Sequence, residues 1–261
     1  MKFVDHNSFE KDIIKEKFTT IPYMDVWICS IIEGYIYENV SVVNEYSGIK
    51  EKYIERYGKK EGEYKMWDPN GKIKRQGYYR EGKQEGESKV WYENGQIQCQ
   101  FYYREGKIEG EYKWWYRNGQ LRSQEYYKEG KREGEYKMWY ENGQIQCQFY
   151  YREGKEESEF KRWRDNGQIQ CRGYYKEGLM EGEYKEWYDD GQILAQSYYK
   201  EGKLDGEFKW WWNNGQLRYQ SYYKEGKLDG ECKWWNEQGE LIVYKIYIGG
   251  EVVEDLLLTL N

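Results

Sequence analysis

Histidine and proline are almost missing from this chain of 261 residues, which contains one histidine and two prolines. The single histidine, His6, excludes most histidine-based catalysis and any metal site built from several histidines. No apolar run reaches the roughly 18 residues of a membrane-spanning helix. The first residues carry acids throughout and lack the apolar core of a signal peptide, which predicts an intracellular protein.

Leu, Ile, Val and Phe are also scarce and together supply only 45 positions. So low a share is typical of disorder only when net charge is high, and here 41 Lys and Arg nearly balance 47 Asp and Glu. The missing apolar surface comes from 31 Tyr and 13 Trp, whose large rings dominate burial when they pack. A net charge of −6 attracts neither nucleic acid nor an anionic membrane, so we expect neither as a partner.

The chain repeats every 24 residues, and this period determines the predicted architecture. The constant tryptophans are Trp67, Trp91, Trp115, Trp139, Trp163, Trp187, Trp211 and Trp235. In the second repeat, residues 86–92 and 96–103 are rich in aromatic residues and are separated by the glycine turns at Gly95 and Gly106. Two such strands and two turns leave no room for a helix. The sequence therefore predicts an all-β fold, an elongated single-layer antiparallel β-hairpin meander that forms a solenoid of 24-residue repeats.

Four segments follow from this period. They are residues 1–25, an N-terminal helical cap; 26–57, a degenerate first repeat with capping strands; 58–249, eight repeats; and 250–261, a C-terminal capping tail. The short helix is predicted because Asn7 and Glu10 resemble a capping box ahead of apolar residues at helical spacing. The tail is expected either to cover the edge of the last strand or to pair with a second copy, since an open edge invites pairing.

The strand register rests on the first turn. Pro69 is preset for the second position of a type I turn, which favours a three-residue loop and pairs Trp67 with Ile73. The alternative is a two-residue type I′ loop, which in the next repeat would pair Tyr92 with Ile97. We choose the three-residue loop.

This register also predicts which face of the sheet packs. Trp91, Ile97 and Tyr103 would share one face with Lys89, and these positions barely vary among the repeats. The other face contains the position of Val90, which varies widely. We expect the constant face to pack and the varying face to meet solvent or partners.

The unit G-E-Y-K-x-W-Y-x-N-G-Q-I-x-x-x-x-Y-Y-x-E-G-K-x-x, in eight in-phase copies over residues 58–249, resembles MORN repeats. It is most similar to the variant with an N-G-Q-[IL] turn and a following Y-Y-K-[ED]-G-K segment. That variant occurs in bacterial proteins of the toxin–antitoxin immunity type, in large DNA viruses and in protists. The resemblance implies an elongated hairpin solenoid that serves as a protein–protein scaffold and is sometimes dimeric through one end.

A binding site in a repeat protein is expected where the repeat departs from its own pattern. The predicted partner-binding residues, all placed on the varying face, are Tyr112, Trp114 and Tyr116; Phe208, Trp210, Trp212 and Trp234; and Arg162, Arg164 and Arg172. Exposed Trp and Tyr often anchor interfaces, and grouped guanidinium groups could receive a carboxylate or a phosphate. The alternatives are that the rings fill the concavity of a curved sheet and that Arg162 pairs with Glu186.

Two recurring features are predicted to be structural. Acid pairs such as Glu85 and Glu87 occur in nearly every repeat beside the constant lysine, whereas the carboxylate pair of a glycosidase would be unique. Cys99, Cys147 and Cys171 occupy one repeat position, and equivalent positions in adjacent repeats should lie about 10 Å apart, too far for a disulfide bond or a shared metal ion. We therefore expect small buried thiols in a reducing compartment.

The sequence thus predicts a non-enzymatic scaffold for protein–protein interaction, a structural part of a larger assembly such as a virus particle. No catalytic residue, metal site or cofactor is predicted. The expected partners are proteins, including a second copy bound through an end strand or the C-terminal tail. The alternative functions are an antitoxin-like immunity protein that masks a toxin and, with less support, a peripheral lipid-binding protein. The expected location is intracellular and soluble, in the cytoplasm or in a particle if the protein is viral.

Overall fold

The computed structural model describes the backbone of residues 38–43 and, with side chains, residues 48–256. Every regular element in these ranges is a β-strand, which confirms the predicted all-β class. Among the described residues no helix has the length and apolarity needed to cross a membrane. The predicted helical cap of residues 1–25 lies outside the described residues.

The chain forms two units, residues 1–119 and residues 120–261. The strands of the first unit are β1 Glu38–Val43, β2 Lys50–Arg56, β3 Lys59–Trp67, β4 Ile73–Arg80, β5 Lys83–Gln84, β6 Gly86–Trp91, β7 Ile97–Arg104 and β8 Lys107–Trp115. The strands of the second unit are β9 Leu121–Lys128, β10 Lys131–Arg132, β11 Gly134–Trp139, β12 Ile145–Arg152, β13 Lys155–Trp163, β14 Ile169–Lys176, β15 Leu179–Met180, β16 Gly182–Trp187, β17 Ile193–Lys200, β18 Lys203–Leu204, β19 Gly206–Trp211, β20 Leu217–Lys224, β21 Lys227–Trp235, β22 Leu241–Ile248 and β23 Glu251–Leu256.

Each unit is an antiparallel meander, because every strand pairs with the strand that follows it in the chain. The two-residue strands β5, β10, β15 and β18 begin strands that continue as β6, β11, β16 and β19. At the C-terminus, β23 pairs with β22. The tail therefore covers the edge of the last repeat strand, which was the first of its two predicted roles.

The Asn-Gly turns contain three residues, as Pro69 in the first of them predicts. The N–H of Asp68 donates to the carbonyl oxygen of Lys72 at 2.8 Å, and the N–H of Gly71 donates to that of Asp68 at 3.0 Å. Gly71 adopts a φ of 80°, and Trp67 pairs with Ile73 beyond the turn. The same two turn bonds recur in later repeats.

The Glu-Gly turns are the tighter reversals. Arg80 pairs with Lys83, and the two residues between them, Glu81 and Gly82, have φ values of 52° and 80°. Two positive φ values in a two-residue loop define a type I′ turn. A glutamate is unusual there, but its N–H donates to the Glu61 carboxylate (Oε2) at 2.7 Å, which holds the left-handed backbone in place.

A β-bulge after each Asn-Gly turn changes the predicted faces. Val90 pairs with Cys99 whereas the next residue pairs with Ile97, so the second strand has one extra residue. Because side chains alternate along a strand, every later side chain moves to the opposite face. Tyr103 therefore lies on the face of Val90, and the prediction that placed it with Lys89 is wrong.

The two faces differ in chemistry. In the second repeat the polar face carries Glu87, Lys89, Trp91, Gln100 and Tyr102. We call the opposite side the aromatic face, formed by Ser88, Val90, Cys99, Phe101 and Tyr103 and by their equivalents at multiples of 24 residues.

The aromatic face is the better buried of the two. Tyr64, Ser88, Phe160 and Cys232 occupy one position of this face in different repeats, and all four are buried. The constant tryptophans of the polar face are only half-buried, and Tyr102 is exposed. The expectation that the constant face is the packed one is therefore wrong, because the side chains of the varying face pack against one another, although Trp234 and Arg162 on it stay exposed.

Candidate functional site: the aromatic face

Half-buried aromatic rings form the candidate site in the first unit, where the sequence predicted them. Tyr112 stacks on Phe101 with their ring centroids 4.9 Å apart. The indole N–H of Trp114 donates to the hydroxyl of Tyr92 at 3.3 Å. Tyr112, Trp114 and Tyr116 are all half-buried, so each ring both packs on the sheet and retains an accessible part.

A second group of rings lies on the aromatic face near the C-terminal end of the second unit. Tyr219 connects it, with ring-centroid distances of 5.7 Å to Phe208 and 4.4 Å to Trp234. Trp234 keeps 36% of its surface exposed although it packs against Tyr219. The structure thus brings together two of the predicted aromatic residues through a tyrosine that the sequence reasoning did not select.

The other two members of this predicted group enclose an arginine. The guanidinium of Arg218 lies 4.0 Å from the ring centroid of Trp210 and 4.1 Å from that of Trp212, within cation–π range of both. The indole N–H of Trp212 also donates to the carbonyl oxygen of Trp235 at 3.1 Å. Sequence reasoning missed Arg218, because its contact with Trp210 depends on the bulge that follows the turn.

Arg164 connects two neighbouring repeats. Its Nη2 donates to the carbonyl oxygen of Trp187 at 2.6 Å, and its Nε lies 2.9 Å from the Asp189 carboxylate. In the preceding repeat, the hydroxyl of Tyr140 makes the same bond to the carbonyl oxygen of Trp163 at 2.8 Å. Arg164 therefore replaces a structural tyrosine, and its guanidinium is already engaged.

Arg172 lies on the polar face. It pairs with Lys161 and Lys185 on the two neighbouring strands, and its guanidinium is 3.7 Å from the Glu183 carboxylate. The prediction that three arginines share one face is wrong for Arg172, because it follows the β-bulge of its hairpin. Of the three predicted arginines, only Arg162 lies on the predicted face without a hydrogen bond or an ion pair to the described residues.

Arg162 borders a cleft on the aromatic face of the second unit. The cleft is lined by Tyr136, Cys147, Phe149, Tyr151, Arg162 and Tyr175, among others. Arg162 pairs with Cys147 on one neighbouring strand and with Cys171 on the other, and its guanidinium is 5.5 Å from the ring centroid of Phe149. Burial raises the pKa of Cys147 to about 11 and also raises that of Cys171, so both thiols are neutral at pH 7.

An ion pair formed by a buried glutamate at the edge of this cleft was also not predicted from the sequence. Glu125 is buried, and its Oε2 lies 2.7 Å from Nε of Arg132 and accepts a hydrogen bond from the Tyr127 hydroxyl at 3.1 Å. The guanidinium of Arg132 lies within 5.5 Å of the ring centroids of Tyr136 and Tyr151. The available signal was Glu125 itself, an acid at a position where the repeats on either side have phenylalanine.

The recurring acids have structural roles, as predicted. Glu85 accepts the N–H of Glu105 at 2.8 Å, while Glu87 pairs with Lys89 at 2.7 Å and accepts a hydrogen bond from Gln100. Each carboxylate of the pair thus supports the hairpin. In the part of the chain that the structure describes, no group of three His, Cys, Asp or Glu side chains could hold a metal ion.

The 24-residue repeat matches a known family model. The family model described as the MORN repeat variant matches residues 60–81, 84–105, 108–129, 132–153, 180–201 and 204–225. These six segments together span just over half of the chain. The repeat that contains Arg162 is not among them, in agreement with its departure from the pattern.

No curated protein matches the chain. Among solved structures, a crystal structure of TcdB2-TccC3 is similar to 84% of this chain at 8% identity, with a TM-score of 0.21. One of TcdB2-TccC3-Cdc42 is similar to 82% of the chain at 8% identity, with a TM-score of 0.19. The chain spans about 15% of the length of either match, and so low a TM-score carries no argument about fold or function. Because six segments of the chain match this family in phase with the paired strands, the chain belongs to the MORN repeat variant family.

Proposed function

We propose that this protein is a non-enzymatic scaffold that binds protein partners through its aromatic face. MORN repeats in general are interaction or membrane-binding modules. The observation that supports a protein partner is the partial exposure of large rings such as Trp234 on the aromatic face. Within each unit every described element is a strand of the meander, so no described helix or second sheet covers these rings. Exposed tryptophan and tyrosine commonly anchor protein interfaces.

The distribution of charge favours a protein over a lipid surface. The constant lysines of the polar face pair with a glutamate two residues earlier, as Lys137 does with Glu135 at 2.7 Å. Binding to an anionic membrane needs an excess of basic residues, whereas these charges are balanced and the net charge is −6. The engagement of the recurring acids in hairpin bonds supports a function without catalysis.

Free thiols support a reducing location. Cys99, Cys147, Cys171 and Cys232 are free and buried, which fits an intracellular protein or one assembled into a particle inside a cell. A virus-particle component and an antitoxin-like immunity protein are particular cases of this scaffold, and they differ in the partner that is bound.

The test compares two variants of the full chain. Trp210→Met with Trp234→Met thins the aromatic face but keeps an apolar side chain, since Met66 and Met138 occupy the same position in other repeats. Tyr198→Ser is the matched control on the polar face, where Tyr198 is 37% exposed. Affinity capture from the native host followed by mass spectrometry should recover a partner with the wild type and with the control.

We expect the double variant to lose that partner while its circular dichroism spectrum stays β-type. Loss of the partner in the control but not in the double variant would move the binding surface to the polar face. If the protein floats with anionic vesicles and captures no protein partner, the scaffold proposal is contradicted.

A further inference from the structure

We propose that Arg162 forms an anion site that binds a single carboxylate carried on an apolar segment of the partner. This inference rests on the proposed function, since it names the chemistry that the aromatic face recognises. At the position of Arg162 the other repeats carry Met66, Val90, Trp114, Met138, Glu186, Trp210 and Trp234. A cation therefore occurs at this position in one repeat only.

The charge of Arg162 is not neutralised by its surroundings. Within the described residues it forms neither a hydrogen bond nor an ion pair, and its side chain is exposed. Glu156 and Glu186 accept hydrogen bonds from Tyr151 and Tyr184, both at 3.4 Å, and neither carboxylate lies within ion-pair distance of the guanidinium. An exposed guanidinium of this kind can bind a carboxylate through two parallel hydrogen bonds.

The second arginine of the cleft is already satisfied. Arg132 is paired with Glu125 at 2.7 Å, so it adds little attraction for an incoming anion. The thiols of Cys147 and Cys171, whose residues pair with Arg162, are neutral at pH 7 and neither compete for it nor repel a ligand. Arg162 is therefore the guanidinium of the cleft lining that no carboxylate engages.

The surroundings favour a carboxylate on an apolar carrier. Phe149 and Tyr175 line the cleft beside the guanidinium, and both rings pack on the buried ring of Phe160, at 5.4 Å and 4.9 Å. Glu156 also lines the cleft. A phosphate group carries between about −1.5 and −2 charges at neutral pH, of which one guanidinium balances only one, so part of its charge would stay uncompensated beside this carboxylate.

The experiment uses the full chain labelled with ¹⁵N and follows the Nε–Hε resonance of Arg162. The probes are N-acetyl-Phe-Glu-amide, its uncharged counterpart N-acetyl-Phe-Gln-amide, and phenyl phosphate, each added up to about 10 mM, so that binding with a dissociation constant near or below that concentration is detected. We expect the glutamate probe to shift the resonance with saturation and the glutamine probe to leave it unchanged. The same titration is followed through the amide signals of Phe149 and Tyr175 in the variants.

Arg162→Met introduces the residue found at the equivalent position of the preceding repeat, Met138. It should reduce the affinity for the glutamate probe at least tenfold. Arg172→Gln, which introduces the residue of Gln148 on the polar face, should leave it unchanged. Equal binding of the two peptides, unchanged binding to Arg162→Met, tighter binding of phenyl phosphate or no shift at all would each overturn the proposal.

The two proposals fail separately. If no probe binds while the aromatic double variant still loses its captured partner, the scaffold stands and the anion site falls. If the glutamate probe binds but no protein is captured through the aromatic face, the anion site stands and the scaffold falls.

Discussion

Replacing Ser158 with glycine is expected to stabilise the second unit. Ser158 adopts a φ of 73°, in the left-handed region that glycine enters without a steric penalty. The equivalent residues on either side, Gly134 and Gly182, have φ values of 86° and 71°. The Ser158 hydroxyl forms no hydrogen bond among the described residues, so its removal loses no partner.

The size of the effect follows from two opposing terms. The left-handed backbone costs an L-residue roughly 1–2 kcal/mol, which glycine would recover. Glycine loses more backbone entropy on folding, which costs about 0.5–1 kcal/mol. The expected net gain is therefore about 0.5–1 kcal/mol in the free energy of unfolding.

The matched control is the reverse change one repeat later. No atom lies within 4 Å of a Cβ built on Gly182, so Gly182→Ser introduces backbone strain without a steric clash. We expect it to destabilise the same unit by about the amount that Ser158→Gly adds.

Both variants are measured by urea unfolding and by thermal melting under identical conditions. For a chain of this size a change of about 1 kcal/mol moves the melting temperature by about 2–4 °C. Ser158→Gly should melt higher than the wild type and Gly182→Ser lower. A lower melting temperature for Ser158→Gly would refute the assignment of strain to this residue, and so would an unchanged one for Gly182→Ser.

Two further predictions concern buried groups of the second unit. Because burial raises the pKa of Cys147 to about 11, the thiol in the native protein should react with Ellman's reagent at pH 8 far more slowly than in the urea-unfolded chain; equal rates at this residue by peptide mapping would contradict this. Its residue is two strands from Cys171, so oxidation followed by peptide mapping should yield no bridge between them. Glu125→Ala should lower the free energy of unfolding by about 1–3 kcal/mol, less than a fully buried pair costs, because Arg132 is partly exposed. The double variant Glu125→Phe with Arg132→Ile reproduces Phe101 and Ile108 of the preceding repeat and should restore the free energy of unfolding measured in urea. A double variant no more stable than Glu125→Ala would show that loss of the ion pair does not explain the destabilisation.

The local elements of this protein could be predicted from the sequence because each depends on a few neighbouring residues. The 24-residue period separates strand segments from turns, and Pro69 selects the three-residue turn that pairs Trp67 with Ile73. Glycines such as Gly71 mark where a positive φ is needed, since a reversal of that type excludes most side chains. The strand class, the turn positions and the partial burial of the aromatic groups follow from these features.

The faces were decided by contacts between strands. One extra residue between Ile97 and Cys99 moves every later side chain of the hairpin to the opposite side, because side chains alternate with a period of two. The equivalent extra residue between Ile169 and Cys171 places Arg172 on the polar face and leaves Arg162 on the aromatic face.

The composition of the site also depended on tertiary pairing. Glu125 and Arg132 meet because a Glu-Gly turn folds their strands together, and Arg218 reaches Trp210 through the register of its hairpin. Residue types alone predicted that arginines and aromatic rings would gather somewhere on the sheet. The hydrogen-bonded register between strands determined which of them meet, because contacts across a sheet are set by pairing and not by distance along the chain.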